Sequence, residues 1–357
     1  MKENKVFKIL TLLLIVQWAF IQIISKYSAF VEIYYTNGIY KFISKIYRIV
    51  FGWLPFSFGD IFYILIGVYV FTSIYKIIRL KKLNLKNTFF KIGAMASVLF
   101  FFFYFNWGLN YYRTPLFESL KIEKKTYEID ELISFTKNLI TKTNQAQFDI
   151  THSDTLVVLN PSSKKQIRAN SIKAYEHLKL KHSNFKFNTP SIKNSIFSIP
   201  LTYMGFAGYL NPFTNEAQVN ALIPKNNYPS TVCHEIAHQV GIASESEANF
   251  VGYLASIHSQ DKYFKYSGYL TALKYCLYDV YRNNPDEFET LRKTINPGIL
   301  RDMENSRKFW SSYQNWSEKF FKIFYDSFLK ANKQKDGIKG YNKMVSLLIN
   351  YYKTEKL

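Results

Sequence analysis

Three long apolar stretches within the first 110 residues constrain this chain more than anything else in it. Val6–Ile24, Phe56–Ile78 and a third run around Leu99-Phe100-Phe101-Phe102-Phe103-Tyr104-Phe105 each reach the roughly 20 residues that span a hydrocarbon core. Inside a bilayer every backbone N–H and C=O must be paired within the segment, so each run is expected as a helix. The expected spans are 6–25, 56–78 and 88–110. No small-x-small cleavage site follows the first, so it is expected to stay attached. Residues 26–55 are aromatic and amphipathic, with Lys41, Lys45 and Arg48 at near-helical spacing. They are expected to lie along the membrane interface until Pro55 breaks the chain. Residues 1–110 thus read as a membrane region.

The flanking charges set an orientation. Lys2, Lys5 and Lys8 precede the first span, and Lys76, Arg79, Lys81, Lys82 and Lys86 follow the second. Both groups belong on the cytoplasmic side. The third span then carries residues 111–357 across to the other side. Lys41, Lys45 and Arg48 fall on the outer side and run against the rule.

Aromatic residues are abundant, with 32 Phe and 28 Tyr, which suits a membrane protein. The 46 basic and 26 acidic residues leave a net charge of +20. The lysines are dispersed or sit beside apolar spans, and no basic cluster with interleaved aromatics forms a nucleic-acid module. The expected partner is therefore the lipid bilayer, and no nucleic acid. The two cysteines, Cys233 and Cys276, lack Cys-x-x-Cys spacing. They are expected as packed thiols, with a disulfide as the alternative outside the cytoplasm.

From residue 111 onward the pattern is α+β, mostly helical with a small sheet. Helices are expected over 128–146, 163–180, about 230–240, 244–254, 264–282, 285–295, 305–331 and 338–352. Strands are expected over 154–161, 196–200 and 216–223, the last as an edge strand because it ends at Pro224.

The chemistry concentrates in Cys233-His234-Glu235-Ile236-Ala237-His238. On a helix His234 and His238 leave the same face, where two imidazoles can hold one Zn²⁺. Glu235 beside them is the candidate general base. A third ligand is needed. Glu245, with Asn249 four residues later as a supporting group, is the first choice, and Glu247 is the alternative. Gly241 suits the turn between the two helices, Ser244 an N-cap and Glu247 its capping partner. The rest of the motif helix is apolar, and a metal would satisfy its buried histidines. Tyr203, Tyr209 and Tyr253 are candidate oxyanion donors. An intramembrane protease is a further alternative, against which stand the polar flanks and the short apolar run.

Several blocks carry a family resemblance. They are Trp107-Gly108-Leu109-Asn110-Tyr111-Tyr112-Arg113, Gly208-Tyr209-Leu210-Asn211-Pro212-Phe213-Thr214-Asn215-Glu216-Ala217, the motif itself, Glu245-Ser246-Glu247-Ala248-Asn249-Phe250, Tyr266-Ser267-Gly268-Tyr269-Leu270 and Leu329-Lys330-Ala331-Asn332-Lys333-Gln334. In these the chain resembles a bacterial membrane-protein family defined by a domain of unknown function, number 3810. The resemblance implies amino-terminal membrane helices and a zincin-like domain. Together with the flanking charges, this leads to an expected place in the bacterial inner membrane with residues 111–357 as a periplasmic zincin-like domain. Blocks 208–217 and 325–341 are expected to shape or close the cleft. The expected function is a zinc metallopeptidase acting on a peptide or protein substrate. The alternatives are a zincin-like membrane sensor or signalling protein, and a metal-stabilised domain without catalysis.

Overall fold

A computed structural model describes residues 2–80, 84–187, 189–334 and 341–357. Lys81 and Lys82 of the basic turn, and the start of the expected helix 338–352, lie outside the described residues. The protein is mostly helical with one small sheet. It divides into two compact units, residues 1–114 with 211–216, and residues 115–210 with 217–357.

The first unit contains α1 (Lys2–Ile24), α2 (Ser28–Phe30), a π-helical run Val31–Ile39, α3 (Tyr40–Gly52), α4 (Phe58–Leu80) and α5 (Leu85–Asn106). Lys5–Ile24, Phe58–Arg79 and Leu85–Asn106 are long and apolar enough to cross a bilayer. The third ends at Asn106, short of 110, because Gly108–Tyr112 tightens into a 3₁₀ turn. Thr11 Oγ1 donates to Phe90 O at 3.0 Å, and Ser97 Oγ donates to Gln17 Oε1 at 3.4 Å. Contacts that advance together along both helices make α1 and α5 parallel. Their amino-terminal ends therefore lie side by side.

Residues 28–52 do more than present an amphipathic face. Arg113 forms a bidentate pair with Glu32, at 2.9 and 2.8 Å. Lys41 and Lys45 are exposed, but Arg48 is buried beside Asn215. Residues 211–216 are held in this unit by polar contacts. Glu216, fully buried, accepts from the backbone N–H groups of Phe58 and Gly59 at 3.2 and 2.6 Å. A carboxylate on the first N–H groups of α4 satisfies donors that have no partner within the helix.

The second unit contains α6 (Leu116–Ser119), α7 (Ile129–Thr151), α8 (Lys164–Lys181), β1 (Ile192–Asn194), α9 (Ser198–Met204), β2 (Gly208–Leu210), β3 (Ala217–Val219), α10 (Tyr228–Gln239), α11 (Glu245–His258), α12 (Lys262–Asn283), α13 (Pro285–Arg292), α14 (Pro297–Ser311), α15 (Trp316–Ala331) and α16 (Tyr341–Tyr351). Capping boxes start α7 (Glu128 with Glu131) and α8 (Ser163 with Gln166). The core is built where α10, α11 and α12 meet α7, α8 and α16. It contains Tyr175, Val232, Ile236, Phe250, Leu254, Leu273 and Leu348, all essentially without exposure. Each such aliphatic or Phe side chain contributes about 1.5–3 kcal/mol by leaving water.

Four expectations are corrected. The strand order is β1-β3-β2, so β3 is central and not an edge. It pairs parallel with β1 (Ile192 opposite Ala217) and antiparallel with β2 (Gly208 opposite Val219). Residues 196–200 are not a strand. The strand lies earlier, at Ile192–Asn194, and Pro200 falls in the first turn of α9, where a missing N–H removes no helix bond. Residues 154–161 form a loop, because their polar groups go to side chains instead of a ladder. Val158 N donates to Asp302, and Leu156 O accepts from Gln147. The expected helix 305–331 is broken at 312–315, where the Asn315 side chain caps Ser317 N and starts α15.

Candidate metal centre

The site begins with the way α10 stops. Gly241 adopts φ 91°, a conformation that a Cβ would penalise. Its N–H donates to His238 O at 3.0 Å, and the Ile242 N–H donates to Ala237 O at 3.0 Å. That pair of bonds is a Schellman motif. It brings the Ile242 carbonyl to His238, whose Nδ1 lies 2.6 Å from it. A carbonyl only accepts, so Nδ1 carries a proton, and whenever the ring is neutral its lone pair is on Nε2 and points away from the backbone. Tyr175 Oη on α8 donates to Cys233 O at 2.6 Å, and Gln239 donates to Ser191 O at 2.8 Å. These bonds tie the motif helix to its surroundings at its middle and at its carboxyl end.

The chain reverses after Gly241 and enters α11. Ser244 stands at the N-cap position, but its side chain makes no capping bond. Gly252 lets α11 pass close over α10. A Cβ there would lie 2.8 Å from His234 N and 3.0 Å from His234 Cα. This close crossing brings Glu245 to the histidines. Its Oε2 is 3.2 Å from His234 Nε2, its Oε1 is 3.7 Å from His238 Nε2, and the two Nε2 atoms are 3.1 Å apart. Among the described residues His234, His238 and Glu245 form a group able to hold a metal ion. Two imidazole nitrogens facing each other across 3.1 Å repel unless a proton or cation lies between them.

The two glutamates of the first turn of α11 part company. Glu245 faces the histidines, whereas Glu247 accepts from Leu116 N at 2.8 Å, at the start of α6. Asn249 donates its amide to Tyr275 Oη at 2.8 Å. Glu235 is 3 % exposed, and its Oε2 has no hydrogen-bond partner among the described residues. Burial pushes its carboxyl up to about 7, against the pull of His234 and His238. Burial would lower His238, but the neighbouring Glu245 outweighs it and raises the imidazole to about 9. Burial also opposes ionisation of Glu245, and His238 and His234 overcome it and hold this carboxyl well below its usual range. The Glu245 side chain keeps 32 % of its surface exposed, so solvent moderates that pull.

Two neighbours complete the site. Gly208 of β2 lies against Glu235. A Cβ there would meet its Cδ at 2.8 Å and Gln218 O at 2.7 Å. Tyr325, on α15, donates its hydroxyl to Glu245 Oε1. Tyr325 was not among the tyrosines expected from the sequence, although the block 325–341 contains it. Of those expected, Tyr253 pairs with Tyr352 in the core at 2.8 Å, and Tyr203 packs on Tyr313. Tyr209 lies on β2. Cys233 and Cys276 are free, buried thiols.

No curated protein and no solved structure matches this chain. One family model does, over residues 35–349, and it spans both units and every residue of the cluster. The chain therefore belongs to the family described as "Protein of unknown function (DUF3810)".

Proposed function

We propose that this chain is a membrane-anchored zinc metallopeptidase of zincin type, with His234, His238 and Glu245 as ligands and Glu235 as general base. The observation that carries the reading is the convergence of one ligand atom each from His234, His238 and Glu245 within 4.8 Å of one another. Donors at zinc-ligand distance on a tetrahedral ion stand roughly 3.3–3.5 Å apart, so these residues fit Zn²⁺. The Ile242 carbonyl supports the fit by fixing the His238 tautomer that leaves Nε2 available.

Bound Zn²⁺ would supply Lewis acidity toward a peptide carbonyl and lower the pKa of water. The chain's own residues handle the proton and the geometry. Glu235 lies buried next to the two histidines and, among the described residues, holds an oxygen without a partner, which suits a group that takes a proton from water and passes it to a leaving amine. Tyr325 orients Glu245. β2 is an outer strand of the sheet, and its Gly208 lies against Glu235, so it replaces β3 as the element beside which an extended peptide would bind.

The flanking charges, with α1 and α5 parallel, support an inner-membrane protein whose second unit lies on the periplasmic side. A sensor or a metal-stabilised scaffold would explain the three ligands but assign no work to Glu235. A buried carboxylate with an unpaired oxygen lowers stability, and only the catalytic reading gives it a use.

The test is metal analysis of the purified full-length protein, paired with the Glu235→Gln variant. Wild type is expected to hold about one Zn²⁺ per chain, and none after His234→Ala with His238→Ala. Glu235→Gln is expected to keep the metal while peptide products vanish from the membrane and periplasmic proteome. A wild-type protein without zinc, or a Glu235→Gln variant with undiminished products, sinks the reading.

A further inference from the structure

The face of α15 opposite Tyr325 has no role in the site. Trp316, Phe320, Ile323 and Phe324 follow one another at i, i+4, i+7 and i+8, so they form one stripe along the helix. They are 88 %, 63 %, 68 % and 65 % exposed. Ser317, Phe321, Tyr325 and Leu329 face the other way and are partly or fully covered. Elsewhere in this unit the large exposed side chains form smaller groups, such as Ile199 with Tyr203 on α9 and Tyr278 with Tyr281 on α12. Four large apolar residues in one stripe mark an interaction surface.

We propose that this stripe takes the bilayer itself, with α15 lying in the headgroup layer as an interfacial helix. Three properties select lipid as the occupant. Trp and Phe gathered on the exposed face of a helix, with charged residues along its margin, is the pattern of helices that lie in the interface plane. Lys319 borders the stripe and is exposed, which suits anionic headgroups. The same chain carries three helices able to cross a membrane, and only Trp107–Thr114 separates the last of them from the second unit. The chain therefore keeps a bilayer at hand, and the stripe meets it without a diffusional search.

The consequence concerns what reaches the site. Tyr325 lies on the reverse face of α15 and donates to Glu245. The metal cluster then stands about one helix diameter, roughly 10 Å, from the headgroups. Resting on the peptidase reading, the accessible substrates are membrane-proximal segments of lipid-anchored or membrane-spanning proteins, not free peptides in bulk solvent.

A depth measurement tests the docking independently of metal or activity. Full-length protein is placed at one copy per nanodisc, with an environment-sensitive fluorophore on Ser327→Cys. Ser327 lies on the exposed face and outside the apolar set. Cys233 and Cys276 are buried and do not compete for the label. Lipids brominated on their acyl chains are expected to quench more than about half of this emission. The same label at Lys165→Cys, on exposed α8, is expected to stay unquenched. A Ser327 label as wet as the Lys165 label overturns the proposal. Shielding that appears only with two copies per disc, or only on adding peptide, assigns the stripe to a second copy or to substrate and overturns it as well. Phe320→Asp with Phe324→Asp should abolish the quenching while leaving the thermal unfolding of the protein unchanged.

Discussion

Gly252→Ala is the most direct probe of how the site is built, because it needs no substrate. The new Cβ would sit 2.8 Å from His234 N, 3.0 Å from His234 Cα and 3.3 Å from Cys233 C, whereas ordinary contact begins near 3.4 Å. All three atoms are backbone of α10, so none can rotate away. The two helices must separate by about 0.6 Å, in an interior packed as densely as a crystal. Overpacking of this kind costs about 1–3 kcal/mol of stability. It also moves Glu245 relative to both histidines by more than the roughly 0.2 Å that metal-ligand distances tolerate. Zinc affinity, measured by competition with a chromophoric chelator, is expected to fall roughly 10- to 100-fold. Gly268→Ala is the control. Its Cβ would lie 2.8 Å from Ser256 Cβ, where α12 packs on α11, and its three nearest neighbours all belong to α11. It should lower stability comparably and leave zinc affinity unchanged. Wild-type affinity in Gly252→Ala, or equal loss in the control, would refute the idea that this crossing sets the ligand geometry.

Three further predictions concern single side chains. Glu245→Ala is expected to abolish tight zinc binding, while Glu247→Ala keeps the metal and instead loses about 1.5–3 kcal/mol of stability as Leu116 N loses its charged acceptor. The reverse pattern in a chelator titration would exchange their roles. Tyr325→Phe keeps the ring contact with Phe206 but removes the donor to Glu245, and a roughly tenfold loss in zinc affinity is expected. An unchanged affinity would remove Tyr325 as the orienting group. Burial pushes the Lys274 ammonium down to about 8, below its unfolded value. The unfolded chain therefore binds more protons from about pH 8 to 10, and stability should rise with pH across that window. Lys274→Met should flatten the rise in thermal unfolding, and an identical slope in both proteins would contradict the shift.

What could be read from the sequence followed the range of the interactions. The two histidines four apart, the glycine after them and the glutamates beyond it form one local device, so Glu245, with Ala248 and Asn249 behind it, stood forward of the alternative Glu247. The apolar helices were equally plain, since in hydrocarbon the segment must satisfy its own backbone. The sheet was less legible. Its strands have three residues each, too short for alternation to declare a neighbour, and β3 proved central because β1 and β2 come from before it in the chain. Pro200 was read as closing a strand when it opens a helix, two roles that a missing N–H permits equally. Tyr325 lies 80 residues beyond Glu245, and nothing local in α15 marks its hydroxyl. The exposed stripe on the same helix was hidden because 305–331 read as one unbroken helix.

The buried Glu216 has a consequence in time. It accepts from Phe58 N at the start of α4, across 158 positions of sequence. At a synthesis rate of about 5–20 residues per second, α4 leaves the ribosome roughly 8–30 s before the residue that caps it. The second apolar helix is therefore inserted with its first N–H groups unmet by Glu216. It acquires that acceptor only when the β2–β3 connection is made. The membrane unit of a nascent chain stays unfinished until translation has passed Glu216, some 18 residues before His234. A chain that stops before that point leaves an incomplete membrane unit for quality-control proteases.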